Sequence, residues 1–372
     1  MPTLYSPAYR NSPKPIRPTD PQSNIHSAQR LSSTNCIRNA HIRTEHASIA
    51  LAQHSILPHL PLQHSGYNPI RYAEEWLVGA RPWLVPRSCR KAEHLLVESL
   101  KRQQLWAFFA LTLLIGWFPW YTGSGGIFLP APTLAAFLIA GLAQGRQGMA
   151  AILRRMLRWR VGWQWYAFVL LVPAALYVLA VGIHVVLGGR APEFALVTQD
   201  PHRILLVFVA FALPWQSSAF MEEIGFRGYA LAGHQEKWGP LVGTLILGVF
   251  FGAWFLPEFA RPDTPQYAMG GIGFYPWYVL TEVGWSLIMT WVYNRTNKSA
   301  LVSGYLFHVA FNAWALVLLT DAIPGEGFPP FDATLFVITA LVVTLFGLLI
   351  VLRTGGRLGY ELNRGEPEGA SA

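Results

Sequence analysis

Eight apolar runs, at 105–121, 126–143, 163–187, 204–221, 239–257, 274–293, 300–319 and 332–352, constrain this chain more than anything else in it. Each is close to the ~20 residues that cross ~30 Å of hydrocarbon at about 1.5 Å per residue. Backbone inside hydrocarbon must satisfy its hydrogen bonds internally, so runs of this length predict helices. The expected fold is an all-α polytopic membrane protein with about eight transmembrane helices. Composition agrees, since 13% of the 372 residues are charged while 52% are hydrophobic, a balance foreign to soluble domains. Trp117, Trp120, Trp163, Trp165 and Trp277 fall near run ends, where an apolar ring with a polar edge is satisfied at headgroup level.

The formal charge of +8 would also suit a nucleic-acid binder. The cations are placed otherwise, beside the apolar runs, and no nucleic-acid motif accompanies them. Lys101 and Arg102 precede the first run, Arg146, Arg154, Arg155, Arg158 and Arg160 separate the second from the third, Arg295 and Lys298 the sixth from the seventh, and Arg353 and Arg357 follow the eighth. The intervening loops are neutral or acidic. Alternate loops thus obey the positive-inside rule, which puts both termini in the cytoplasm. Residues 1–100 are rich in Pro, Ser, Asn, Gln and His without a period, and read as a disordered tail or as an extension from an upstream start. The domain expected to carry function is 101–357, followed by a disordered tail at 358–372. Two cysteines, Cys36 and Cys89, are too few for a disulfide framework.

Ionisable groups inside spans are costly and mark functional sites. Glu222 and Glu223 close the fourth run, and Arg227 lies four residues beyond Glu223. If the helix continues, Glu223 and Arg227 share a face in the favourable acid-first order, and Glu222 points about 100° away, free to act as a base. The plainer reading is an ion pair that ends the helix. In the seventh run His308 and Asn312 stand one turn apart among apolar residues. They would either bond one helix to another or meet the glutamates to form a site with the parts for water activation and oxyanion stabilisation. Glu282 in the sixth run is a further buried carboxylate, for which a hydrogen bond to a neighbouring helix is expected.

Glu222-Glu223-x-x-x-Arg227, then Phe251-Gly-Ala-Trp254-Phe255-Leu-Pro257, then Asn294-Arg-Thr296-x-x-Ser299 and His308-x-x-x-Asn312 resemble, in order and spacing, the CPBP family of intramembrane proteases. That family includes CAAX prenyl endopeptidases of the Rce1 type and bacteriocin-immunity proteins of the Abi type, and the resemblance covers about 105–352. It implies an endopeptidase acting on a membrane-associated peptide near the cytoplasmic face of a bacterial inner membrane, with the bilayer as its surroundings. It implies catalytic roles for Glu222, Glu223, Arg227, His308 and Asn312, with Glu222 activating water and His308 and Asn312 steadying the oxyanion. In the metalloprotease description of the family, Glu222 and His308 would instead help to hold a zinc ion. One position departs: Phe255 stands where the family has a histidine, and phenylalanine can neither move a proton nor bind metal. The alternative is therefore a catalytically impaired pseudoprotease serving as membrane scaffold or immunity factor. Glu258 and His234 are the candidates to replace the histidine, Glu258 near the outer end of its helix and His234 in the following inner loop. A transporter would need matched broken repeats, which this chain lacks.

Overall fold

The computed structural model describes residues 103–213, 218–268, 270–320 and 332–361. The expected tail at 1–100, with both cysteines and its histidines, lies outside the described residues, as do 362–372. All regular elements among the described residues are helical. The principal ones are α1 Gln103–Gly116, α2 Ala131–Met156, α3 Trp163–Val186, α4 Arg203–Ala212, α5 Ser218–Glu223, α6 Leu231–Trp238, α7 Pro240–Trp254, α8 Tyr275–Arg295, α9 Phe307–Leu319 and α10 Ala333–Arg353. Two π-helical segments, Ile224–Ala230 and Leu301–Leu306, join α5 to α6 and lead into α9.

Every one of the eight runs contains helix, but four helical stretches among the described residues are long and apolar enough to cross a membrane: Trp163–Val186, Pro240–Ala260, Leu301–Leu319 and Ala333–Arg353. The helices α1 and α4 are shorter. The helices α2 and α8 have the length but carry more polar residues, among them Gln144, Arg146, Arg154 and Arg155 in α2 and Thr281, Glu282, Ser286 and Thr290 in α8. Gly145 kinks α2 with φ 65° and ψ −152°, so that its basic half takes a new direction. The expected single helix over 204–221 is broken at Leu213, the residue that caps α4, whose ψ of 122° is extended; Ser218–Glu223 is again helical. From there it runs on through Trp238, so the glutamates lie inside a helix rather than at its end. At the other terminus Leu358, assigned by sequence to the tail, is fully buried and its carbonyl accepts the Asn294 amide at 2.9 Å.

Outward faces are apolar. Leu170, Leu171 and Val178 of α3 and Leu341, Leu345, Leu348, Leu349 and Leu352 of α10 are exposed, the latter at the three- and four-residue spacing of one helical stripe. Such stripes, far beyond the patches a soluble surface carries, suit contact with lipid. The polar groups turn inward, as hydrocarbon requires.

Two apolar clusters fill the interior. One is built from α3, α8, α9 and α10 around Trp285, Phe307 and Phe311. The other joins α1, α2, the first π segment and α7 around Phe226, Phe251 and Trp254. The helices α7 and α8 meet closely at Gly248 and Gly252, where a Cβ would stand about 3.0 Å from the Cα of Val283 and of Val279. This is the small-x-x-x-small spacing that brings membrane helices together. It also places the Phe251–Phe255 end of α7 against the polar face of α8. The second π segment and α9 start from Ser299, whose hydroxyl accepts the Val302 N–H at 3.2 Å as a capping group does.

Candidate functional site

The first π segment carries the site's cation, and the short helix before it carries two carboxylates. Glu222 and Glu223 are fully buried and Arg227 is 1% exposed. Arg227 Nη1 donates to Glu223 Oε1 at 2.8 Å, and Nη2 donates to Ser286 Oγ at 3.1 Å and to Met289 Sδ at 3.3 Å. The guanidinium lies 5.2 Å from the Phe251 ring centroid, within cation–π range. Glu223 Oε1 also meets His308 Nδ1 at 3.0 Å. His308 is stacked on Phe311 with centroids 4.6 Å apart, so its ring is fixed both by a hydrogen bond and by packing. A ring nitrogen committed to a carboxylate sets the direction of the other one.

Glu222 is held differently. Its Oε1 accepts the Trp254 indole N–H at 3.1 Å. Its Oε2 is buried without a hydrogen-bond partner of ordinary geometry, although Ser218, one turn earlier, interacts with the same carboxylate. A buried polar atom left unpaired is costly, and such atoms call for an explanation in function or in unseen solvent. Thr133 ties this stretch to α2 by donating to the Met221 carbonyl. The second π segment completes the surroundings: at Gly304 a Cβ would come within 2.8 Å of Glu223 Oε2, so the carboxylate occupies room that only glycine leaves. Local i→i+5 turns recur at functional sites, and here both described π segments flank one.

Beside these groups is a cavity of about 630 Å³, lined by Ser218, Phe251, Phe255, Tyr278, Glu282, Trp285, His308, Phe311 and Asn312 among others. Asn312 lies on its wall one turn from His308. Sequence alone pairs a glutamate with the histidine; the structure identifies it as Glu223, the one Arg227 neutralises. Phe255 caps the end of α7 and packs on Tyr278, centroids 5.5 Å apart. Neither candidate replacement for a histidine reaches this place. Glu258 Oε1 accepts the Ile127 N–H at 2.9 Å. His234 bonds the Ala230 carbonyl through Nδ1 at 2.6 Å and is packed on Phe109 and Trp238, and burial pushes its imidazole down to about 4. Glu282, for which a helix-to-helix bond is expected, lines the cavity near Tyr278, one turn back on its own helix. No residue pattern signals this, because cavity lining depends on which faces of several helices converge.

The residues present do not fit a zinc ion. Catalytic zinc usually takes three protein ligands. Glu223 and His308 Nδ1 are bonded to each other, and a guanidinium shares their oxygen. Among the described residues no group of three or more His, Cys, Asp or Glu side chains is arranged to hold a metal.

A bundle of membrane-length helices enclosing a buried Glu–Arg–His network and an apolar cavity defines an integral membrane protein with an intramembrane polar site. Residues 201–314, which contain every one of those groups, match the family of type II CAAX prenyl endopeptidases, Rce1-like. Over 225 residues the chain is 21% identical to CAAX prenyl protease 2 of Methanococcus maripaludis, covering 55% of this chain and 81% of that protein. Both matches support the CPBP family for the segment that carries the site.

Proposed function

We propose that this protein is an intramembrane endopeptidase in which Glu222 is the base. The observation that carries this reading is the asymmetry of the two glutamates: each has one oxygen without a partner, but the other oxygen of Glu223 is bonded to Arg227 and His308, whereas that of Glu222 accepts an uncharged indole N–H and no cation bonds it. A carboxylate without a counter-cation bonded to it is the stronger proton acceptor. Glu222 takes a proton from water, and the hydroxide forms the C–O bond at the substrate carbonyl. Asn312 donates its amide N–H to the oxyanion, and His308, oriented through Nδ1, offers Nε2 as a second contact when it carries its second proton. Glu223 and Arg227 hold the histidine in place.

The cavity wall is mostly aromatic and aliphatic, so a membrane peptide bearing an apolar chain is the proposed substrate class, in line with the prenyl substrate in the relative's name. The site is proposed to face the cytoplasmic side of a bacterial inner membrane. The test is cleavage of prenylated and unmodified membrane peptides by the purified full chain and by Glu222→Gln. The expected result is a loss of about 10²–10⁴-fold or more with an unchanged thermal midpoint; cleavage at the wild-type rate by the variant rejects the assignment. Phe255 supports one second reading, a disabled scaffold. It requires that wild type be inert and that Phe255→His cleave.

A further inference from the structure

Three carboxylates belong to this site, and the reading above uses two. Glu282 sits in the middle of α8, 6% exposed, on the cavity wall with His308 and Asn312. It does not bond the arginine: Arg227 directs its terminal nitrogens to Glu223, Ser286 and Met289. The Tyr278 hydroxyl, one turn back on α8, acts on the Glu282 carboxyl, and the Tyr278 ring packs on Phe255 and Phe259 at 5.5 and 5.0 Å. Glu282 thus borders the cavity beside a packed phenol, and its charge and that of Glu222 act on each other. One guanidinium cannot neutralise three buried carboxylates. Like charges this close do not all ionise, so the cluster holds a proton that it can give away.

Peptide hydrolysis needs such a proton. Once hydroxide has added to the carbonyl, the C–N bond breaks only as the departing nitrogen is protonated, because an amide anion is too basic to leave. Glu222 holds the proton taken from water on one side of the cavity wall; Glu282 stands on the wall itself. We propose that Glu282 is the general acid of this site, the carboxyl that protonates the leaving amine. In that step the C–N electron pair moves to nitrogen, the Glu282 proton goes with it, and the peptide is released as a carboxylic acid and an amine. Transfer of one proton from Glu222 to Glu282 through water in the cavity restores both groups. Tyr278 is a positioning residue, holding the carboxyl towards the cavity.

This assignment rests on the endopeptidase reading, and the experiment separates the two. The full chain in detergent is assayed on a prenylated membrane peptide and on the same peptide with an aryl ester at the scissile bond, whose leaving group needs no proton. Wild type, Glu222→Gln, Glu282→Gln and Tyr278→Phe are compared, with kcat and KM followed against pH. Glu282→Gln is expected to lose about 10²-fold or more in kcat on the amide with KM little changed. It should lose the alkaline limb of the pH profile and cleave the ester within a few-fold of wild type. Tyr278→Phe should lower amide cleavage by a smaller factor with the ester spared. Equal losses on amide and ester, or an unchanged amide rate and pH profile in Glu282→Gln, overturn the general-acid role. Because the ester-to-amide ratio is internal to each sample, a poorly folding variant still separates the two outcomes. Cleavage that survives Glu222→Gln rejects the base assignment while the ratio still decides Glu282; an inert wild type overturns both.

Discussion

Glu223 gives one oxygen to two partners, the Arg227 guanidinium at 2.8 Å and the His308 imidazole at 3.0 Å, whereas Glu222 next to it accepts an indole N–H and bonds no cation. Breaking a buried pair by removing one partner costs about 3–5 kcal/mol, so losing any one of Glu223, Arg227 and His308 is expected to destabilise the placing of the other two. A second residue-scale consequence concerns His234. Its imidazole is lowered from 6.5 to about 4, chiefly by burial, with Lys237 adding to the effect. As pH falls below about 6.5 the unfolded chain binds a proton that the folded one refuses until near pH 4. Stability is therefore lost across that window as the medium is acidified. The thermal midpoint of the wild type should fall between pH 7 and 4.5, and by less in His234→Phe; an equal fall in both would assign the acid sensitivity to other groups. The Glu223–Arg227 pair was legible in the sequence because i and i+4 are neighbours on any helix. The partner of His308 was not, since that contact spans 85 positions and depends on how two helices are rotated against each other.

At the scale of elements, the apolar runs marked where helix would form, because length in hydrocarbon leaves no other choice. They did not disclose the break at Leu213 or the π turns at Ile224–Ala230 and Leu301–Leu306. An i→i+5 turn uses the same residues as an i→i+4 turn and has no composition of its own. What holds these turns is tertiary: the first packs on α2, the second on α8, and the two touch each other. Gly304 stands at that contact. Gly304→Ala should push the Glu223 carboxylate off its two partners, costing about 1–3 kcal/mol as overpacked sites do. The expected outcome is a lower thermal midpoint together with reduced cleavage. A variant as stable and as active as wild type would mean that the turn yields more easily than its burial implies.

For the whole molecule, four stretches among the described residues meet the length and apolarity of a span by themselves, whereas the loop charges fit eight crossings. The two counts place particular residues on different sides. With eight crossings, Arg190 and Arg261 share one face of the membrane and Arg160, Lys298 and Arg357 the other. With four, the short helix α4 would not cross and Arg261 would change sides. Single cysteines introduced at these positions, labelled from outside intact cells, decide between them: labelling at 190 and 261 but not at 160 and 298 is the result expected for eight. The ordered motifs made the family legible, since they lie within the matched segment 201–314. The cavity was not, because its wall draws on α3, α7, α8, α9 and α10 at once. The first π segment has a further consequence for how such a chain can vary. It stands upstream of α6 and α7, and it accommodates an extra residue within what would otherwise be an α-helix. Deleting one residue between Ile224 and Ala230 would let the backbone relax to α geometry with α6 and α7 kept in the same phase relative to α5, because a π turn absorbs its extra residue locally. The side chains inside the segment, Arg227 among them, would be re-aimed relative to the carboxylates. Substitutions in this stretch can be graded by size and charge, whereas a change in the number of residues redirects the arginine itself, so that the count of residues here is part of the site.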